Sequence, residues 1–409
     1  YALKYSLGRY EIGLEHYGEL MGQLGFTGGL HGLDVGSGAG HWIHAFAALN
    51  DQATGIELRE DFVEIANGVA AAAGLADRAR SIVGDARNLP FEAETFDVVW
   101  SHGVIMFVEH DQALMEMSRV LKTSGALYIG YTSIGHRMRL LQRAIAGETT
   151  RNLMRTTINT LFNNSIYRAG IFQTPRGRVR CYTREELQHT ARLAGFSIVA
   201  APKLQDQSDQ WHGREGTIDF LARKTAPQDQ RIRDIVTAAS DEAALLAETR
   251  EAIRFGAPEA ALLLLDEAKL DETQAEVRHA RLSAMLKAGK LRPHTPAIGE
   301  LDADETEAAA LLRAKIALNF ARWPEAIERL EALPATAETS LLLLAAHLYA
   351  DNLDAALPLS TDARSRHGDD FSIGIAHLRT LDMAGDDARL FAETNRLLDD
   401  IADGVIDYD

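Results

Sequence analysis

The chain has 409 residues, 46% of them hydrophobic and 25% charged, with a formal net charge of −17 and a single cysteine. That length exceeds one ordinary core, so two domains are expected. No run of about 18 apolar residues is present to cross a membrane as a helix, and Cys181 alone excludes an intrachain disulfide or a cysteine-built metal cluster.

The charge is unevenly divided. Residues 1–224 carry 23 basic and 24 acidic groups, and residues 225–409 carry 19 and 35. The step predicts a domain boundary near 225, and the acidic half argues against a nucleic-acid partner. No secretory leader is expected, no membrane or metal is expected as a partner, and the single cysteine suits a reducing, cytoplasmic setting.

In chain order, Leu14, Tyr17, Leu20, Met21 and Leu24 fall at helical spacing, and Gly28-Gly29 stops that helix. Strands and helices then alternate. Strands are predicted at 30–35, 53–58, 79–83, 96–101 and 126–131, and helices at 41–49, 61–73 and 112–121. This alternation predicts an α/β fold with a doubly wound parallel sheet. Residues 134–180 interrupt the rhythm as an insertion. A helix capped at Thr183, with Glu186 at its third position, resumes it. Strands near 196–200 and 217–222 complete the sheet as a hairpin at its edge.

Ala226 to Gln230 reads as a linker. Beyond it the chain is rich in Ala, Leu and Glu and reads as helix after helix. Pro258-Glu259-Ala260, Pro324-Glu325-Ala326, Leu353-Asp354-Ala355 and Asp386-Asp387-Ala388 each open a helix after a short turn. Ala260 and Ala326 stand two periods of 33 apart, and Ala355 and Ala388 one, which suits a helix–turn–helix solenoid. Leu318 to Ala326 resembles a tetratricopeptide-repeat turn, so residues 225–409 are expected to form an all-α, tetratricopeptide-like domain.

The chemistry concentrates in four segments. Asp34-Val35-Gly36-Ser37-Gly38-Ala39-Gly40 follows the first strand and precedes a helix, where glycines allow tight turns and a close backbone approach to a ligand. The spacing is G-x-G-x-G. A nicotinamide fingerprint wants a small residue where His41 stands. Glu57 lies 17 residues after Gly40, at the end of the second strand, where a carboxylate can accept both hydroxyls of a ribose. Asp85-Ala86 ends the third strand, with a carboxylate for an adenine amino group and a backbone N–H. Ser101-His102 ends the fourth. In such sheets ligands bind beyond the carboxyl ends of the strands, so all four converge.

In this order and spacing the series resembles the class I S-adenosylmethionine-dependent methyltransferases over residues 10–224. The resemblance implies a Rossmann-like, seven-stranded sheet whose last strand is antiparallel, with S-adenosylmethionine as cofactor. It implies that Asp34, Gly36, Ser37, Gly38 and Gly40 hold the methionine part. It places Glu57 and Leu58 at the ribose, Asp85 and Ala86 at the adenine, and Ser101 and His102 beside the cofactor. Tyr17, with Tyr10, is expected to cover it. His102 and His136 are the candidate bases if the acceptor is a hydroxyl or an ammonium.

Family members insert substrate caps after the fifth strand, which directs attention to 134–180. Nine arginines stand there against one acid, Glu148. Arg176, Arg178 and Arg180 are the candidate acceptor contacts, because guanidinium groups pair bidentately with phosphate or carboxylate. The expected acceptor is a small, anionic metabolite or a glycan, methylated on O or N. The competing expectations are that the arginines dock on the acidic helical half, and that this half recruits a protein substrate.

Overall fold

The computed structural model describes residues 8–171, 179–199, 210–212 and 214–408. The chain divides into two compact units. One comprises 1–132, 184–209 and 217–237, and the other 133–183, 210–216 and 238–409. The division differs from the expected break at 225. The insertion after the fifth strand clusters with the C-terminal helices, and the expected linker opens helix Gln228–Ala238, most of which belongs to the first unit.

The first unit is a seven-stranded sheet. Its strands are β1 His31–Val35, β2 Gln52–Glu57, β3 Ala79–Val83, β4 Phe96–His102, β5 Leu121–Thr132, β6 Phe196–Val199 and β9 Thr217–Lys224. Two short strands, β7 Gln210–Trp211 and β8 Arg214–Glu215, pair separately in the second unit. The sheet order is β3-β2-β1-β4-β5-β9-β6, with β9 antiparallel to both neighbours and β1 to β5 parallel. The expected hairpin therefore forms with its second strand inserted inside the sheet, and β6 takes the edge. Helices α1 Leu14–Gln23, α2 His41–Leu49, α3 Glu60–Ala72, α4 His110–Val120 and α7 Arg184–Leu193 belong to the same unit. Val99 and Trp100 of the central strand β4 are fully buried, because that strand is covered on both faces, and Phe46 of α2 packs on Trp100.

Register brings the functional positions together. Asp34 pairs Trp100, Val35 pairs Ile56, Glu57 pairs Val83 and His102 pairs Gly130. The carboxyl ends of β1 to β4 thus finish at one edge.

The second unit holds α5 Ile134–Ile145, α6 Arg151–Arg168 and the helices from Glu242 to Ala402. Among the described residues of this unit eight turns share one geometry with a left-handed residue: three at Gly147, Gly170 and Gly404, and five that recur at near-even spacing, at Gly256, Gly289, Ala321, Asp351 and Gly385. At each, that residue's N–H bonds three residues back and the next N–H five back, as in Gly256 to Ile253 and Ala257 to Ala252. This is the Schellman cap. The five recurring turns stand 33, 32, 30 and 34 residues apart. The member between the first two expected motifs is Gly289. It lacks a Pro-Glu-Ala sequence and leads to a six-residue helix, Pro296–Leu301. Alternate helices Glu242–Arg254, Ala275–Lys287, Glu307–Asn319, Ala337–Tyr349 and Phe371–Ala384 pack in a row, with the others against them.

The insertion lies on that row. Met154, Ile158, Leu161, Phe162 and Ile166 of α6 are buried at i, i+4, i+7, i+8 and i+12 in one core with Leu341, Leu344, Ile375 and Leu378. Helix α6 packs on Ala337–Tyr349 and Phe371–Ala384, and α5 packs on Asp387–Ala402. Arg151 pairs with Asp387, and Arg155 pairs with Asp382 at 2.6 Å. Arg379 meets the same Asp382 at 2.7 Å. Asn164 pins the chain after the insertion helices, donating to the Val179 carbonyl at 2.9 Å and accepting the Cys181 N–H at 2.8 Å.

Candidate active site

The glycine loop is built by contacts on one side and openness on the other. Gly36 and Ser37 both donate their N–H to the Ile56 carbonyl, at 2.8 and 3.0 Å, which ties the loop to β2. Gly36 sits at φ +84, and a Cβ there would overlap the Val104 side chain, 2.8 Å from Cγ1. Gly38 sits at φ +52, and a Cβ there would meet no atom within 4 Å. Its bare face is therefore open, while its N–H donates to Glu57 Oε2 at 3.0 Å.

Glu57 accepts a second N–H, from Arg59, on Oε1 at 3.1 Å. An ionised carboxylate offers about four lone-pair sites, so two bonds fix its orientation and leave acceptor capacity on both oxygens. Leu58 beside it is 71% exposed, and Val83 at the end of the neighbouring strand is 51% exposed. Apolar side chains in water at the strand ends are what the flat face of a base would cover.

Asp34 is 1% exposed, and its Oδ2 has no hydrogen-bond partner among the described residues. Burial drives its carboxyl well above the usual carboxylate range, opposed by the Trp100 indole and reinforced by Glu57. A buried carboxyl with one oxygen unpaired among the described residues, next to an open loop, is relieved by a cation.

Asp85 stands where expected, but its carboxylate is engaged. Arg87 grips both oxygens, Nε to Oδ1 at 3.0 Å and Nη2 to Oδ2 at 2.6 Å, and holds it below its ordinary pKa. Arg87 also bonds Glu109 at 2.9 Å. Neither residue was singled out from the sequence, since an Asp-x-Arg turn carries no distinctive motif. Ala86 is buried beside them at 9% exposure.

Two expected contacts point inward. The Ser37 hydroxyl meets the Ser81 hydroxyl at 3.0 Å beneath Gly55, and the Ser101 hydroxyl donates to the Val35 carbonyl at 2.8 Å. Both residues are buried and stitch strands together, so they support the edge rather than line it. Tyr17 is likewise 2% exposed and packs on His41 and Trp42 at ring distances of 4.8 and 4.9 Å. Tyr10 reaches the loop instead. Its hydroxyl donates to the Ala39 carbonyl at 2.5 Å and lies 2.9 Å from His44 Nδ1, while His44 Nε2 donates to the Ala66 carbonyl.

His102 lies against Gly130 and 5.5 Å from the Trp42 ring. Burial, with Arg9 adding to it, lowers its pKa to about 4, and His41 falls to about 3 by burial, Arg9 and the neighbouring histidines. Both imidazoles are neutral at physiological pH. A base of pKa about 4 removes a proton poorly near neutrality. His110 is buried, with Nε2 at 3.1 Å from the Thr190 hydroxyl.

The other candidates lie in the second unit. His136 is in the first turn of α5. Arg180 is 9% exposed with its guanidinium 3.9 Å over the Tyr167 ring, and Lys287 Nζ is 5.1 Å from that ring. Arg176 and Arg178 lie outside the described residues. Among the described residues no group of three His, Cys, Asp or Glu could hold a metal ion, and no helix is long and apolar enough to cross a membrane.

Residues 33–129 match the methyltransferase-domain family. Three curated relatives are similar to part of this chain. The sterol 4-C-methyltransferase strm-1 of Caenorhabditis elegans is 30% identical over 108 residues, 26% of this chain and 32% of that one. The uncharacterized methyltransferase YcgJ of Bacillus subtilis is 33% identical over 94 residues, 23% and 37%. The norajmaline N-methyltransferase of Rauvolfia serpentina is 36% identical over 107 residues, 26% and 36%. The chain spans about a third of the length of each. The segment that matches the methyltransferase-domain model, 33–129, is the one that holds the glycine loop, Glu57 and Asp85 at its strand ends.

Proposed function

We propose that this chain is an S-adenosylmethionine-dependent methyltransferase acting on an O or N nucleophile of a small-molecule acceptor, a metabolite or a glycan. The observation that carries the reading is the pairing of an open Gly38 face with Glu57, whose carboxylate is fixed by the loop's own N–H. Glu57 would hold the ribose hydroxyls. Asp34 would face the cofactor's ammonium and lose its desolvation cost. Leu58, Val83 and Ala86 would flank the adenine, with Asp85 sharing its carboxylate between Arg87 and the ring. When bound, the cofactor supplies a methyl group on a positively charged sulfur. The chain's contribution is alignment of the acceptor with that carbon, which needs no obligatory base. His102 would accept a hydrogen bond from the acceptor and hold it in line.

The helical unit is read as tetratricopeptide-like on the strength of its five evenly spaced Schellman turns. Its alternate-helix row carries the chain's own insertion, α6, over the last two inner helices. That occupancy favours a repeat domain that organises the insertion over one that recruits a protein substrate. The same packing uses Arg151, Arg155 and Arg168 internally, three of the insertion's nine arginines, so both neutral and anionic compounds belong in the acceptor panel.

The test is transfer of labelled methyl from S-adenosylmethionine to a panel of neutral and anionic metabolites and sugars, beside extracted proteins. Label in small molecules supports the reading. Label confined to protein overturns the acceptor class.

A further inference from the structure

The seam between the insertion and the repeats is not filled. A cavity of about 290 Å³ opens between α6, helix Ala337–Tyr349 and helix Phe371–Ala384, all within the helical unit. That is the lower edge of ligand-sized pockets, with room for one ring and none for a chain.

Its polar lining is of one kind. Asn159 and Asn163 present carboxamides one helical turn apart on α6, Asp351 a carboxylate and Arg379 a guanidinium. All four are planar, two-pronged groups, the geometry that meets two adjacent hydroxyls at once. Asn163 is 3% exposed, and the Tyr349 hydroxyl leans toward its Oδ1 at 3.4 Å. The apolar wall combines Leu348 and Met383 with two aromatic rings. The Phe162 and Tyr349 rings stand edge to face at 6.1 Å, and Trp323 backs Tyr349 at 5.4 Å. Such faces cover the C–H side of a saturated ring.

Charge decides between ligand classes. The lining carries one cation and one anion, and Arg379 is already bonded to Asp382, which also holds Arg155. A net charge on the ligand would therefore find little field, whereas neutral hydroxyls would meet the Asn159 and Asn163 carboxamides and the Asp351 carboxylate. We propose that this cavity is a binding site for a single neutral sugar ring, recognised through vicinal hydroxyls by Asn159, Asn163, Asp351 and Arg379 and through its C–H face by Tyr349. One wall is the insertion and the other the repeats, so a bound sugar ties the two together. The site is built wholly from the helical unit and does not rest on the cofactor reading.

The experiment is saturation-transfer NMR on the full chain with D-glucose, D-galactose and D-mannose, with L-glutamine as a zwitterion and inorganic phosphate as an anion. A ligand of about 12 heavy atoms at modest efficiency predicts a Kd on the order of 1 mM. At least one hexose should bind in that range. Asn159→Leu fills the cavity from a half-exposed position and should weaken binding at least about tenfold, with S-adenosylmethionine affinity unchanged. Met383→Phe fills it from the opposite wall and serves the same purpose should the first variant melt early. No hexose signal at tens of millimolar, hexose binding untouched by either filling variant, or signal from glutamine or phosphate with none from sugars would each overturn the proposal.

Discussion

Placing a methyl group at two neighbouring glycines separates folding from binding. Gly38→Ala puts a Cβ into open space at φ +52, so its folding cost is that of a left-handed alanine, about 1–2 kcal/mol. In a unit of this size that lowers the melting temperature by about 2–8 °C. Gly36→Ala pays the same backbone cost and overlaps Val104, adding about 1–3 kcal/mol for an overpacked site. Its melting temperature should fall by about 4–20 °C. S-adenosylmethionine at about 100 times its Kd should stabilise the parent by about 2.7 kcal/mol. Gly38→Ala should lose most of that shift, because the new methyl occupies the face the ligand needs. Differential scanning fluorimetry with and without cofactor reads both quantities. A Gly38→Ala protein that keeps the full ligand-induced shift would refute the argument, as would a Gly36→Ala protein that melts with the parent.

Four further outcomes follow from the same geometry. His102 and His41 have pKa values lowered to about 4 and about 3, so the unfolded chain binds more protons below about pH 6.5. Stability should fall as pH drops from 6.5 toward 4, by up to about 1.4 kcal/mol per pH unit for each histidine. Urea melts of the parent and His102→Phe measure this, and equal slopes would contradict it. Tyr10→Phe removes the bond to Ala39 and should cost about 1 kcal/mol, with a loss of cofactor affinity of a few fold visible in titration. Asp382→Ala strips the partner from Arg155 and Arg379 and should cost about 2–3 kcal/mol, less than a fully buried pair because Arg155 is partly exposed. Asp387→Ala, at an exposed pair, should cost under about 1 kcal/mol, and hydrogen exchange across 151–171 should report the difference. A chain ending at residue 237 uncovers the apolar face of α6, whose five buried side chains contribute on the order of 10 kcal/mol at most. It should bind a hydrophobic dye and aggregate, and a monomeric, dye-free product would count against the assigned packing.

The sheet was legible because its strands are short apolar runs between glycine and helix signals, and the boundaries lie within a few residues of those read. The Glu57 position was legible for the same reason, since a strand end after a glycine loop has a defined place in the register. What was not legible depended on contacts distant in sequence. Nothing local to Ser37 or Ser101 shows that their hydroxyls turn toward Ser81 and Val35. Nothing local to Asp85 shows that Arg87 and Glu109 take it up. The insertion was legible as an interruption of the sheet's sequence, but not its packing partner, because its apolar stripe at 154, 158, 161, 162 and 166 is matched by helices about 200 residues later. The repeat at Gly289 was passed over because a Schellman turn needs one residue able to take a positive φ, and the helix-opening motif that marks the others is missing there.

Calorimetric titration of S-adenosylmethionine into the full chain and into Glu57→Ala reads the central claim most directly. Saturable binding to the parent is expected, with a loss of about 1.5–3 kcal/mol in the variant for charge-assisted hydrogen bonds to the ribose, about 10- to 150-fold in Kd. Absence of binding by the folded parent, or equal affinity in the two proteins, would contradict it.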